Sequence, residues 1–114
     1  MCAMFFSKGY EAMVGPINSS LESRYPRDTD GHVRHTASIS TGRHVYRANM
    51  FGYASGIAKG MALKAQLATY KVCWMSGCFD SDILSAFDRA VEDGIDVISL
   101  SVVGGIVPCY LDSC

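Results

Sequence analysis

The densest polar cluster in the chain is Arg27-Asp28-Thr29-Asp30-Gly31-His32-Val33-Arg34-His35-Thr36-Ala37-Ser38. Its two imidazoles, His32 and His35, change charge near neutral pH, so either can carry a proton in a reaction or ligate a metal. The cysteines are the second reactive set. There are five, Cys2, Cys73, Cys78, Cys109 and Cys114, more than a cytosolic protein of this size ordinarily carries, and this leans toward an oxidising compartment. The odd count leaves at least one unpaired. Cys73 and Cys78 are close enough to close a small disulfide loop, worth about 2 kcal/mol on the chain-entropy argument, with two free thiols as the alternative. Zinc accepts two histidines and two cysteines, which makes His32, His35, Cys73 and Cys78 a rival metal-binding module. Spacing argues against it, because about forty residues part the two halves and Trp74 stands between the cysteines. His44 has no companion motif and reads as a surface residue. Asn18-Ser19-Ser20 is an acceptor pattern for glycosylation and agrees with secretion.

The elements that position these groups follow from composition and pattern. About half of the 114 residues are hydrophobic and the net charge is -1, as in an ordinary soluble globular domain. The ten basic residues form no stripe, so a nucleic-acid partner is not expected. No apolar run reaches the roughly 18 to 20 residues of a spanning helix, so no membrane partner is expected either. Met1 to Phe6 are apolar, but Lys8 and Glu11 follow at once and no basic leader precedes them, which does not support a signal peptide. No cofactor or metal is expected. No G-x-G-x-x-G or Gly-Lys-Ser/Thr stands between strand and helix, which disfavours a nucleotide site.

Residues 1–30, rich in Gly, Pro, Ser and Asn from Lys8 on, read as a surface loop. Within 31–42 a helix is predicted from His32 to Ser40, with Asp30 to cap it and Gly42 to end it. Residues 43–64, with Gly52, Gly56 and Gly60, read as a hairpin or loop in which backbones approach closely. Residues 65–102 read as strand, helix and strand: a strand over 65–72, then a helix capped by Asp80 and Ser81 and stopped by Gly94. Its apolar face is Ile83, Leu84, Phe87, Ala90 and Val91, and a second strand follows over 95–102. Residues 103–114 read as loop. Strand, helix, strand is a crossover with parallel strands, hence α/β architecture. So few elements cannot cover a sheet on both faces, so the chain reads as part of a larger domain.

Asp30-Gly31-His32 followed by His35-Thr36-Ala37-Ser38 resembles the histidine motif of the subtilases, the subtilisin-like serine proteases. The ordered segments around it are similar to the plant branch of that family: Phe5-Phe6-Ser7-Lys8-Gly9-Tyr10-Glu11, Gly15-Pro16-Ile17-Asn18, Gly60-Met61-Ala62, Tyr70-Lys71-Val72-Cys73-Trp74, Gly77-Cys78-Phe79-Asp80-Ser81-Asp82 and Asp96-Val97-Ile98-Ser99-Leu100-Ser101. The resemblance implies a partial subtilisin-like fold and a parent that is a secreted, extracellular endopeptidase acting on peptide or protein substrates. It makes His32 the catalytic base and His35 a structural neighbour. An imidazole suits that role because it can take the proton of a serine hydroxyl and return it to the leaving amine. The resemblance also implies that Ser101, Val102, Val103 and Gly104 edge the cleft where an extended substrate pairs with backbone.

In subtilases the triad runs aspartate, histidine, serine along the chain. No Asp-[Ser/Thr]-Gly strand precedes residue 28, and the serine and the oxyanion asparagine are expected beyond Cys114. This polypeptide alone is therefore expected to be inactive. Several positions depart from the family pattern: Val33 and Arg34 replace Gly-Thr between the histidines, Val103 replaces a glycine, Leu63 a proline and Cys109 a tyrosine. These departures keep open the alternative of a catalytically dead, pseudogene-like product of the same family.

Overall fold

A computed structural model of the protein describes residues 2–102. In chain order its elements are β1 (Cys2–Phe5), α1 (Lys8–Met13), α2 (His32–Thr41), β2 (Val45–Met50), β3 (Tyr53–Ala58), β4 (Ala68–Lys71), β5 (Cys73–Trp74), β6 (Gly77–Cys78) and α3 (Asp80–Glu92). Among the described residues the strands pair in twos, β1 with β4, β2 with β3 and β5 with β6. The result is an incomplete α/β arrangement. It divides into two units, one of Asp28–Ala68 and one of Ala3–Arg27 with the chain from Thr69 onward.

The second unit holds the apolar core. Tyr10, Ile17 and Trp74 are buried together with Phe5 and Phe79 against them, and Val72, Ile83 and Ala86 form a neighbouring cluster backed by Phe6, Tyr70 and Phe87. The aromatic rings meet edge to face, Phe5 on Trp74 at 5.9 Å and Tyr10 on Phe79 at 5.8 Å, the arrangement their quadrupoles favour. The Trp74 indole N–H donates to the Phe6 carbonyl at 2.9 Å, so the one polar atom of a buried ring is satisfied. The turn between β5 and β6 is closed by a disulfide from Cys73 to Cys78, which sit opposite each other in register.

The sequence pattern predicts loop where α1 forms, and the cause of the helix lies far along the chain. Asp82, 2% exposed, accepts the backbone N–H groups of Gly9 at 2.8 Å and Tyr10 at 2.9 Å, two of the donors that a helix start leaves unmatched. A side chain at residue 9 would meet the Ser81 hydroxyl and crowd the Asp82 carboxylate, so glycine lets α1 approach the start of α3 without moving either. The buried face of α3 differs from the predicted one and includes this carboxylate. Asp82, Ile83, Ala86 and Ala90 face inward, while Leu84 and Val91 are exposed. Lys71 pairs with Glu22 at 2.7 Å and lies over the Trp74 ring, pinning residues 15–27 to β4 and β5.

The predicted second strand over 95–102 is absent. After Gly94 the described chain is irregular, and Val97, Ile98 and Leu100 are exposed. A strand exists only through a neighbour that takes its N–H and C=O groups, and no strand pairs with these residues among those described.

In the first unit, β2 and β3 form an antiparallel hairpin with Val45 opposite Ala58 and Met50 opposite Tyr53. Phe51 and Gly52 turn it with φ of 51° and 90°, both left-handed as the twist of a two-residue hairpin requires. Residues 60–62 return alongside the end of α2, through N–H donation from Gly60 to Gly42, Met61 to Ile39 and Ala62 to Ser40. A side chain at Gly60 would strike the backbone of Thr41 and Gly42, which explains that glycine by close approach.

Candidate functional site

The site begins at the first turn of α2. The N-cap residue is Gly31, with φ of 97°, a conformation glycine adopts without steric cost. Glycine has no side chain with which to satisfy the helix's first N–H groups, and Asp30, the cap expected from sequence, does not supply one. Asp28 does. Its Oδ1 accepts N–H from Gly31 at 2.8 Å and Asp30 at 3.1 Å, and its Oδ2 accepts N–H from Arg34 at 2.8 Å. The Arg34 Nε stands 3.8 Å from the same Oδ2. The Arg34 N–H first, then the Gly31 N–H, hold the Asp28 carboxyl below its ordinary value against the opposing cost of burial, with lesser help from the Arg34 charge and the Asp30 N–H.

His32 is the first residue of α2, and its side chain is exposed. Its carbonyl, and that of Val33, accept the Thr36 hydroxyl at 3.3 and 3.1 Å. No residue among those described hydrogen-bonds the His32 ring. The ring is thus presented to solvent at the head of α2. His35 is also exposed on α2, and its N–H closes the first turn on Gly31 at 3.0 Å. Val33 is 48% exposed and Arg34 folds back toward Asp28, so the helix start accommodates both residues that depart from the Gly-Thr pattern. His44, expected at the surface, stacks on Tyr46 with ring centroids 6.2 Å apart.

Cys73 and Cys78 are joined in a disulfide and in that form offer no thiolate to a metal. No group of three or more His, Cys, Asp or Glu side chains among the described residues could hold a metal ion. Ser101 and Val102 belong to the second unit and are exposed, outside any strand. Val103 and Gly104 lie outside the described residues, as do Cys109 and Cys114. Asn18 is exposed, with its Oδ1 accepting the Ser20 N–H at 3.0 Å, so its side chain lies at the surface. Sequence reasoning missed Asp28. The available signal was an aspartate three residues before a glycine that could not cap for itself.

Residues 3–106 match the model of the subtilase family. The chain belongs to the subtilase family. This subtilase is 65% identical to Subtilisin-like protease SBT1.5 of Arabidopsis thaliana over 111 residues, which cover 97% of this chain and 14% of that protein. Its identity to Subtilisin-like protease SBT1.6 of the same plant is 58% over 115 residues, 96% of this chain and 15% of the relative. Subtilisin-like serine-protease S of Lotus japonicus is 47% identical over 103 residues, 88% of this chain and 14% of that protein. The subtilase segment therefore spans about one seventh of the length of the curated relatives it matches. Among its described residues no helix is long and apolar enough to cross a membrane.

Proposed function

We propose that this subtilase segment is the histidine-bearing part of a subtilisin-like serine endopeptidase, with His32 as the general base. The observation that carries the reading is His32 itself, which stands on the family's histidine motif in a chain matched to the subtilase model over residues 3–106. Its exposed imidazole at the head of α2 suits the task. A base that serves a serine needs its ring open to the nucleophile and its backbone fixed, so that the proton moves over a short, set distance. Ser101, Val102, Val103 and Gly104 are the proposed cleft edge for an extended peptide or protein substrate.

By itself the polypeptide is inactive on this reading. No carboxylate among the described residues orients the His32 ring, and the serine that attacks the peptide bond is to be supplied from elsewhere in a longer parent. An extracellular setting is proposed for that parent, supported by the Cys73–Cys78 disulfide and by surface-exposed Asn18 in an acceptor tripeptide.

A serine-directed fluorophosphonate probe tests both statements. The full-length parent is expected to be labelled and to cleave peptides, and the 114-residue chain alone is expected to do neither. In subtilisin itself, loss of the histidine costs about 10⁶-fold in kcat, and His32→Ala is expected to cost the parent a comparable factor. Labelling of the isolated chain above background would refute its inactivity, and an active His32→Ala parent would refute the assignment of the base.

A further inference from the structure

A base works only as well as it is held. The backbone around His32 is held from one side chain: Asp28 takes the N–H of Gly31, immediately before the histidine, and that of Arg34, two residues after it. Both bonds are 2.8 Å long and charge-assisted, the stronger kind. The Gly31 N-cap cannot make them, and Asp30 points its own N–H at the same carboxylate. The left-handed Gly31 is a conformation with few restraints of its own. The other bonds at this turn, His35 N–H to the Gly31 carbonyl and the Thr36 hydroxyl to the His32 carbonyl, lie within Gly31 and α2 itself. Asp28 alone among the described side chains outside α2 bonds N–H groups on both sides of His32, and so bears on the angle at which the chain enters α2.

The geometry points to Asp28 as a positioning residue for His32, a carboxylate that acts through the helix backbone and touches neither substrate nor imidazole. It is distinct from the buried carboxylate that orients the ring in a serine-protease triad, because its acceptors are spent on main-chain N–H groups. The inference rests on the endopeptidase reading above and assigns a second residue to the same site.

The test is made in the full-length protease that carries this segment. Active sites are first titrated with a fluorophosphonate, so that rates are expressed per competent molecule and loss of folded enzyme does not enter. Asp28→Ala is expected to lower kcat per titrated site about 10- to 100-fold, the scale of a misplaced catalytic group, while KM changes less than about twofold. Asp28→Asn keeps one acceptor oxygen for the Gly31 N–H and loses the one for Arg34, so it is expected to fall between wild type and Asp28→Ala. Asn also keeps the side chain's size, and it stands in if the alanine variant does not fold. An unchanged kcat per site in Asp28→Ala, or an asparagine variant no better than alanine, overturns the inference. A wild-type parent that takes no label sinks the endopeptidase reading instead, and the two failures are thereby distinguished.

Discussion

At the scale of single residues, Asp28 compensates for a side chain that the N-cap lacks. Gly31 is suited to the left-handed turn into α2, but a glycine cap leaves the helix's first N–H groups unmatched. A carboxylate three residues earlier reaches over the turn and accepts one of them, from Arg34, together with the N–H of the cap residue Gly31. The consequence is a pH dependence whose sign is set by the depressed carboxyl. A group with a lowered pKa in the folded state binds its proton more readily when unfolded. Its stabilisation is complete above the unfolded value, about 3.9, and is lost as pH falls through the lower, folded value. In an acid titration followed by amide proton shifts, Gly31 and Arg34 are expected to move together with a midpoint below 3.8, and Asp28→Asn is expected to abolish the movement. A midpoint at or above the ordinary carboxyl value would show that the clamp does not form in solution.

At the scale of elements, what pattern alone could reach was whatever is locally determined. The helix over His32–Thr41 ends at Gly42 as the pattern predicts, and α3 runs from Asp80 to Glu92 ahead of Gly94, whose φ of 72° is the left-handed stop that glycine favours. The start of α3 differs from expectation: Phe79 is its N-cap, and neither Asp80 nor Ser81 caps it through a side chain. The six-residue α1 has no such signature. It forms because Asp82, more than seventy residues away, matches its first N–H groups, and no local window contains that information. The run Ile95 to Val102 failed in the opposite sense, since β-rich composition states a preference and only a neighbouring strand can satisfy it. The site divides similarly: the family motif points to His32, whereas an aspartate three residues before a glycine is a weak signal, and the bonds Asp28 makes to Gly31 and Arg34 follow from the three-dimensional turn. The long-range α1 contact can be measured. Asp82→Ala leaves the Gly9 and Tyr10 N–H groups buried without acceptors, an expected loss of about 2–3 kcal/mol. Trp74, the chain's single tryptophan, is buried against Tyr10, so its fluorescence in a urea titration reports this unit directly. A shift in the midpoint worth well under 1 kcal/mol would mean that water replaces the carboxylate at little cost.

Taken whole, the molecule distributes its stability unevenly. Every buried hydrophobic residue among those described, Tyr10, Ile17, Val72, Trp74, Ile83, Ala86 and Ala90, belongs to the second unit. That unit also holds the disulfide and the half-buried Lys71–Glu22 pair. The first unit leaves Val45, Tyr46, Met50, Phe51, Tyr53 and Ile57 exposed along its hairpin, with Phe51 at 96%, and α2 buries no residue at all. A two-stranded hairpin with neither face covered is marginal in water, and backbone hydrogen bonds without buried apolar area open readily. Proteolysis can rank the two units within the isolated chain. Trypsin is expected to cut first after Arg43, Arg47, Lys59 and Lys64, all exposed and all in the first unit. Cleavage after Lys71 and Arg89 is expected much later, because the first lies beside Val72 and is paired with Glu22 while the second sits in α3 paired with Asp93. Peptide mass mapping over a time course separates these sets without any assay of activity. Simultaneous cleavage of all six bonds would show that the core of the second unit does not hold without its parent, and early cleavage at Lys71 would place the weak point in the core itself.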